Sequence, residues 1–492
     1  MPDGTTRWMV ATQLEATDAR RVFPCFDEPA LKATFTVTLV AEKNLTCLSN
    51  MPVSSEVEIL SHGKAKKAVT FQEIPPMSTY LVCLAVGDLQ YIETDSFRVP
   101  VRVYATADKN IEQGRFALEL AARTLAVFEK IFDIDFPLPK MDLIAIPGKQ
   151  GAMENWGLVT FGDKYLLVDE EVTSAASYRT AGSVIVHELA HQWFGNIVTM
   201  EFWDGLWLNE SFADWAELHA WEILDPDWKM WQNYTIGGYQ NALSLDSNRA
   251  SHPIEMPVRK ATQINQIFDA ISYDKGCAVL RMISGFLGVD VFVKGVQYYL
   301  KKHAYGNAKT IDLWDALSFV SGTDVRGIMG TWTQNMGYPV VVVSESSKEM
   351  TVTQHRFLQD GSQLKEDDKV VFPLNLRLRT ATNIDDHFEL NQRTAKYSIK
   401  EDFILNADRY GFYRVAYTPE RLRVLGSSVK DGFISPEDKV GLISDTLAFA
   451  SSGFLGQKTS NVLSLLANFD EEPNFFVWKQ IIATLGKIQS VW

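Results

Sequence analysis

The chain is predicted to be a multidomain α+β protein, and three observations lead there. Its 492 residues exceed what a single hydrophobic core organises. The hydrophobic pattern changes period along the chain: strand-like at first, helical through the middle, strand-like again, then helical to the end. Composition is that of ordinary globular protein, 46% hydrophobic and 22% charged, so each segment can build a core.

From Met1 to about Phe97, the runs Thr34 to Val40, Ala68 to Phe71 and Tyr80 to Val86 alternate or stay apolar and stop at turn residues, which predicts an antiparallel β domain over residues 1–98. Within it, Gln13 to Pro29 is charged, Pro-containing and poor as a strand, so it is either a solvated surface or part of a site. Residues 99–337 turn to long helices. Asp108 is expected to cap a helix ending at Phe132, with Phe116, Leu120, Thr124, Val127 and Phe128 as its buried stripe. A short strand, Asp142 to Ile146, leads through Gly148 into Gly151-Ala152-Met153-Glu154-Asn155, where glycines permit close backbone approach beside one fixed carboxylate. The tryptophans from Trp203 to Trp231 read as core or pocket wall and His219 as structural, while Tyr273 opens an apolar helix. Residues 338–417 return to short alternating strands, a small β-sandwich. Residues 418–492 hold helical segments near 419–426, 436–452, 459–468 and 474–489.

The chemistry concentrates between Thr180 and Ala220. In His187-Glu188-Leu189-Ala190-His191 the two histidines share one helical face with Cβ atoms about 5–6 Å apart, so both imidazoles reach one cation. Glu188 lies about 100° around the helix, beside the cation, where a carboxylate can take a proton from water. Zinc commonly takes three protein ligands in open sites, and Glu210 on a second helix completes the set. Asp214 stands one turn after Glu210, placed to accept a hydrogen bond from a ligand histidine.

Bulk properties narrow the classes further. A net charge of −14 without clustered Lys and Arg argues against nucleic-acid binding and favours cationic ligands such as a peptide amine. The four cysteines lack metal or redox spacing, which predicts reduced thiols. No apolar run reaches a membrane span and no basic-then-apolar leader is present, so a soluble, cytoplasmic protein is expected, its oligomeric state open.

Taken together, His187 to Asn196, the eighteen-residue gap to Glu210, Trp207-Leu208-Asn209-Glu210 and Gly151 to Asn155 resemble the gluzincin zinc aminopeptidase family of the puromycin-sensitive and aminopeptidase N type. The likeness extends to Thr17 to Cys25, Tyr273 with Lys275-Gly276, Gly337-Tyr338-Pro339 and Gly411 to Val415, and so spans essentially the whole chain. It implies a β-saddle domain, a thermolysin-like catalytic domain, a β-sandwich and a helical domain. It implies one Zn2+ per chain held by His187, His191 and Glu210, with Glu188 as general base and Tyr273 stabilising the oxyanion. Glu154 and Glu15 are implied to bind the substrate α-amine, Gln13 to line the first side-chain pocket, and Gly151, Ala152 and Met153 to flank the peptide. The substrates would be peptides with a free N-terminus.

Ser211 departs from the glycine usual in the family. The first and last domains are also expected to be shorter than the family's, with the last ending at Trp492 inside an apolar helix. A catalytically impaired zinc- and peptide-binding protein is therefore one alternative. A bifunctional epoxide hydrolase-aminopeptidase is another, and Ala152, where that branch typically has glycine, counts against it.

Overall fold

The computed structural model describes residues 6–491 apart from 170, 347, 348, 363, 364, 387, 400 and 431. Met1 to Thr5 of the expected β domain and Trp492 of the expected last helix lie outside the described residues. The chain is multidomain α+β and divides into two compact units.

The first unit comprises Met1–Trp228, Val258–Gln266 and Val293–Val320. Its N-terminal part is antiparallel, with a three-stranded sheet of Thr38–Glu42, Lys64–Phe71 and Val53–Ser61 and another of Val10–Ala11, Leu84–Gly87 and Thr46–Ser49. The run Thr34 to Val40, expected as one strand, is two: Ala33–Phe35 pairs with Ile74–Met77, whereas Thr38–Glu42 pairs with Lys64–Phe71. Changing partner within one apolar run breaks the strand. Tyr80 to Val86 likewise divides into a 3-10 turn, Thr79–Leu81, and the strand Leu84–Gly87.

A five-stranded mixed sheet underlies the site, in the order Ala152–Met153, Leu158–Gly162, Met141–Ile146, Val101–Thr106, Leu89–Thr94. The three middle strands are parallel and the two edges antiparallel. Val101, Val103, Leu143, Ile144, Val159 and Phe161 are buried, as a sheet covered on both faces requires. This sheet takes Leu89–Thr94 from the N-terminal side of residue 99. The helix that ends at Phe132 begins at Arg115 after a 3-10 turn, Ile111–Gly114. Its entry is capped by Asn110, which accepts from the Glu112 N–H, rather than by Asp108, because the extra turn moves the cap two residues on.

The second unit comprises Lys229–Pro257, Ile267–Phe292 and Ser321–Trp492. A four-stranded sheet runs Thr394–Ser398, Glu349–Arg356, Pro339–Glu345, Arg414–Ala416. The expected strand from Leu374 to Arg379 is interrupted at Arg377, whose φ of 37° lies in the left-handed region, leaving Leu374–Asn375 and Leu378–Arg379 with different partners. The helices Pro419–Ser427, Pro436–Ser452, Thr459–Leu466 and Phe475–Gln489 follow closely the segments expected from the pattern. Pro436–Ser452 owes its sharp start to Ser435, which accepts from the Asp438 N–H, with Pro436 in the first turn. Two buried ion pairings pin this unit. Lys275 Nζ lies 2.8 Å from Asp246 Oδ2, both fully buried. Asp445 accepts from Arg409 at 2.8 and 3.0 Å and from Arg414 at 2.7 Å.

Candidate metal centre

The first site helix, Ala175–Ala190, is capped by Ser174, whose hydroxyl accepts from the Ser177 N–H at 3.1 Å. It buries Ala181, Ile185, Val186, Leu189 and Ala190. Gly182 brings it close to the second site helix, Trp207–Leu224: a Cβ there would lie 3.0 Å from the Trp221 ring. The second helix is buried almost all round, with Trp207, Phe212 and Trp215 in the core. His219, read as structural, stacks on Trp215 with ring centroids 4.9 Å apart.

Against that packing the three expected ligands converge. His187 Nε2 and His191 Nε2 are 3.1 Å apart, and Glu210 Oε2 lies 3.6 Å from the first and 3.4 Å from the second. His191 itself closes the helix as its C-terminal cap. The remaining ring nitrogens decide the tautomers. His187 Nδ1 is 2.8 Å from Asp214 Oδ1, and His191 Nδ1 is 2.9 Å from the Phe194 carbonyl oxygen. A carboxylate and a carbonyl only accept, so both Nδ1 atoms carry protons and both neutral rings turn Nε2 lone pairs toward each other. Two lone pairs and a carboxylate oxygen facing one point are stable only around a cation. Tetrahedral zinc with bonds of about 2.0–2.1 Å sets donor separations of roughly 3.3–3.4 Å, close to those observed, and the N2O donor set suits it. The residues present therefore fit zinc.

The expected base and amine ligands surround this point. Glu188 is buried, with Oε2 lacking a hydrogen-bond partner, and burial, reinforced by Glu154 and Glu210, pushes its carboxyl up to about 8 against the pull of His187. Glu15, Glu154 and Glu210 place carboxylate oxygens within 4.8 Å of one another. Oε1 of Glu154 and Oε1 of Glu15 are sealed from solvent without a partner. Burial, then mutual repulsion with the neighbouring carboxylates, raises the Glu15 pKa well above the ordinary range; burial raises that of Glu154 as well, against the pull of His191. Such a cluster is incomplete without positive charge. The loop from Gln13 to Pro29 is thus part of the site through Glu15.

Gln13 is exposed and donates from Nε2 to Met153 Sδ at 3.1 Å, which brings it to Gly151, Ala152 and Met153. Gly151 has φ +69°, a conformation glycine adopts without strain, and Ala152–Met153 forms the edge strand of the mixed sheet. Tyr273 belongs to the second unit, half-buried in a π-helical turn, Ile271–Lys275, that leads into the helix Gly276–Leu287. Asp269 Oδ1 accepts from the N–H groups of Ile271 and Ser272 and so fixes that turn.

Several positioning residues escape sequence reasoning. Gln192 and Asn196 donate to the Glu154 carbonyl oxygen at 3.3 and 2.9 Å, tying the amine-side loop to the first site helix. Glu217, buried beside Asp214, accepts from Ser183 Oγ at 2.6 Å. Glu217 could have been found two turns after Glu210 on the same helix. The contacts of Gln192 and Asn196 cross 38 and 42 residues and leave no local signal.

Fold and site define the class: a mononuclear metal centre of two histidines and one glutamate, with a buried carboxylate beside it, set on two packed helices. The sequence matches the family models for the peptidase family M1 domain over residues 116–332, the peptidase M1 N-terminal domain over 1–81 and the ERAP1-like C-terminal domain over 403–492. It is 50% identical to Aminopeptidase 2 of Candida albicans, over 99% of this chain and 53% of that protein. It is 50% identical to the alanine/arginine aminopeptidase of Saccharomyces cerevisiae, over 99% of this chain and 56% of that protein. Aminopeptidase M1 of Arabidopsis thaliana is 40% identical over 99% of this chain and 57% of its own length. The chain belongs to peptidase family M1. It spans about half the length of the curated relatives it matches.

Proposed function

We propose that the protein is a zinc aminopeptidase that removes the first residue from peptides bearing a free α-amine. The observation that carries this reading is the pair of carboxylates, Glu15 and Glu154, gathered beside Glu210 with unpartnered buried oxygens. Zinc held by His187, His191 and Glu210 supplies Lewis-acid polarisation of the peptide carbonyl and acidifies water. Glu188 takes the proton from the attacking water at its unpartnered Oε2 and delivers it to the departing amine nitrogen. Its raised pKa suits both directions of transfer near neutral pH. Glu154 and Glu15 accept hydrogen bonds from the substrate ammonium, so that only the first peptide bond reaches Glu188. Asp214 orients His187, and the Phe194 carbonyl orients His191. The oxyanion role of Tyr273 is carried over from the sequence resemblance.

The proposal extends to architecture and location. Residues 1–98 would be a β-saddle domain, 99–337 a thermolysin-like domain, 338–417 a β-sandwich and 418–492 helical. Family matches at 1–81, 116–332 and 403–492 support that order. A cytoplasmic location is supported by four free thiols. Among the described residues no single helix is long and apolar enough to cross a membrane. The test is release of arylamine from an alanyl-arylamide. Glu188→Ala and zinc chelation should each abolish it, and activity surviving either would refute the reading.

A further inference from the structure

The argument rests on the aminopeptidase reading, in which Gln13 lines the pocket for the substrate's first side chain. We propose that Lys149 is a specificity-determining residue of that pocket, selecting first side chains that end in a carboxylate over those that end in a cation.

Lys149 lies on the loop between the buried strand Met141–Ile146 and Gly151. Its Nζ donates to Gln13 Oε1 across 136 residues of sequence. The loop has little freedom to carry the lysine elsewhere. The Lys149 N–H donates to the Ile146 carbonyl oxygen at 3.2 Å, and the Gly162 N–H to that of Gly151 at 2.9 Å. Gly162 packs so closely that a Cβ there would lie 2.2 Å from the Lys149 carbonyl oxygen.

The hydrogen-bond inventory sets the chemistry. Gln13 spends its one acceptor on Lys149, so its side chain offers a ligand only N–H donors, one of which now points at the Met153 thioether, a poor acceptor. The Lys149 ammonium has three donors and gives one to Gln13. This wall therefore presents donors and a positive charge. A carboxylate can accept from Gln13 Nε2 and Lys149 Nζ together in charge-assisted bonds. An arginyl or lysyl side chain brings only donors and a like charge. The opposite requirement holds nearby, where Glu15 and Glu154 await an ammonium. An N-terminal glutamyl or aspartyl residue matches both halves, amine to the carboxylates and side-chain carboxylate to Lys149. Burial draws the Lys149 pKa down, and Glu188, Glu154 and Glu15 oppose that shift.

The experiment compares wild type, Lys149→Ala and Lys149→Glu on glutamyl-, alanyl- and arginyl-arylamides. The alanyl substrate reports the reaction itself, and the ratios report the pocket. Lys149→Ala should lower the glutamyl-to-alanyl ratio of kcat/KM about tenfold, the scale of one charge-assisted hydrogen bond, with alanyl activity retained. Lys149→Glu should invert the order in favour of the arginyl substrate. Ratios unchanged within about twofold in both variants would overturn the proposal. Failure of the wild type to cleave the alanyl substrate would instead refute the aminopeptidase reading. The pocket is then judged by calorimetric titration in the Glu188→Gln background. Glu-Ala should bind about tenfold more tightly than Arg-Ala, a difference Lys149→Ala abolishes. Equal affinities would overturn it there too.

Discussion

Removing the Asp214 carboxylate should weaken zinc binding without touching a ligand. Asp214 Oδ1 lies 2.8 Å from His187 Nδ1, and that bond keeps the proton on Nδ1 and the lone pair on the Nε2 that faces His191 and Glu210. In Asp214→Ala the imidazole can exchange tautomers and rotate, and the basicity lent by the carboxylate is lost. A hydrogen bond to a charged group contributes about 1.5–3 kcal/mol, and loss of such an outer partner costs about 10- to 100-fold in metal affinity. Asp214 keeps 19% of its side-chain exposure, so solvent screens part of the effect and the lower half of that range is expected. The assay is competition for zinc with a chromogenic chelator, run beside urea denaturation of the metal-free protein. The expected result is an affinity loss of about ten- to thirtyfold with little change in the metal-free midpoint. A zinc affinity unchanged within about twofold would refute the argument that Asp214 sets the tautomer.

Two further outcomes follow in the second unit. Asp445→Ala should destabilise by about 3–5 kcal/mol in urea denaturation, because it strands the buried guanidinium groups of Arg409 and Arg414 together; a loss below about 1 kcal/mol would show that water or another carboxylate replaces it. His252 should make stability pH-dependent: its hydrogen bond to Asp269 raises its pKa above 6.5, so the native state holds the proton more tightly than the unfolded chain. That contribution is fully present below pH 6.5 and is lost as pH rises through the native pKa, so His252→Gln should cost more at pH 6 than at pH 9. Equal costs at the two pH values would remove the charge from the explanation.

The metal centre was legible in the sequence because its chemistry is local. Helical geometry alone joins His187 to His191 and places Glu188 beside them, and one helix carries both Glu210 and Asp214. The last helices were legible for a similar reason, since Ser435 and Pro436 announce a start and Gly453, at φ 68°, permits the stop. What escaped was non-local. Nothing in the charged run around Glu15 distinguishes a solvated loop from a site wall, because the carboxylates that define it, Glu154 and Glu210, lie far along the chain. Family resemblance, not periodicity, supplied that link. Lys149 carried no motif, and its meaning comes from touching Gln13. Strand partners were also hidden, as the division of Thr34 to Val40 shows. Alternation reports which faces are buried, but not which neighbour completes the hydrogen bonds.

The central claim is that the carboxylates around the metal centre confine hydrolysis to a residue with a free amine. The most direct measurement compares alanyl-arylamide with its N-acetylated counterpart at equal concentration. Glu15 and Glu154 can bind an ammonium but gain nothing from a neutral acetamide, so the account predicts turnover of the first and none of the second. Comparable cleavage of both would contradict it.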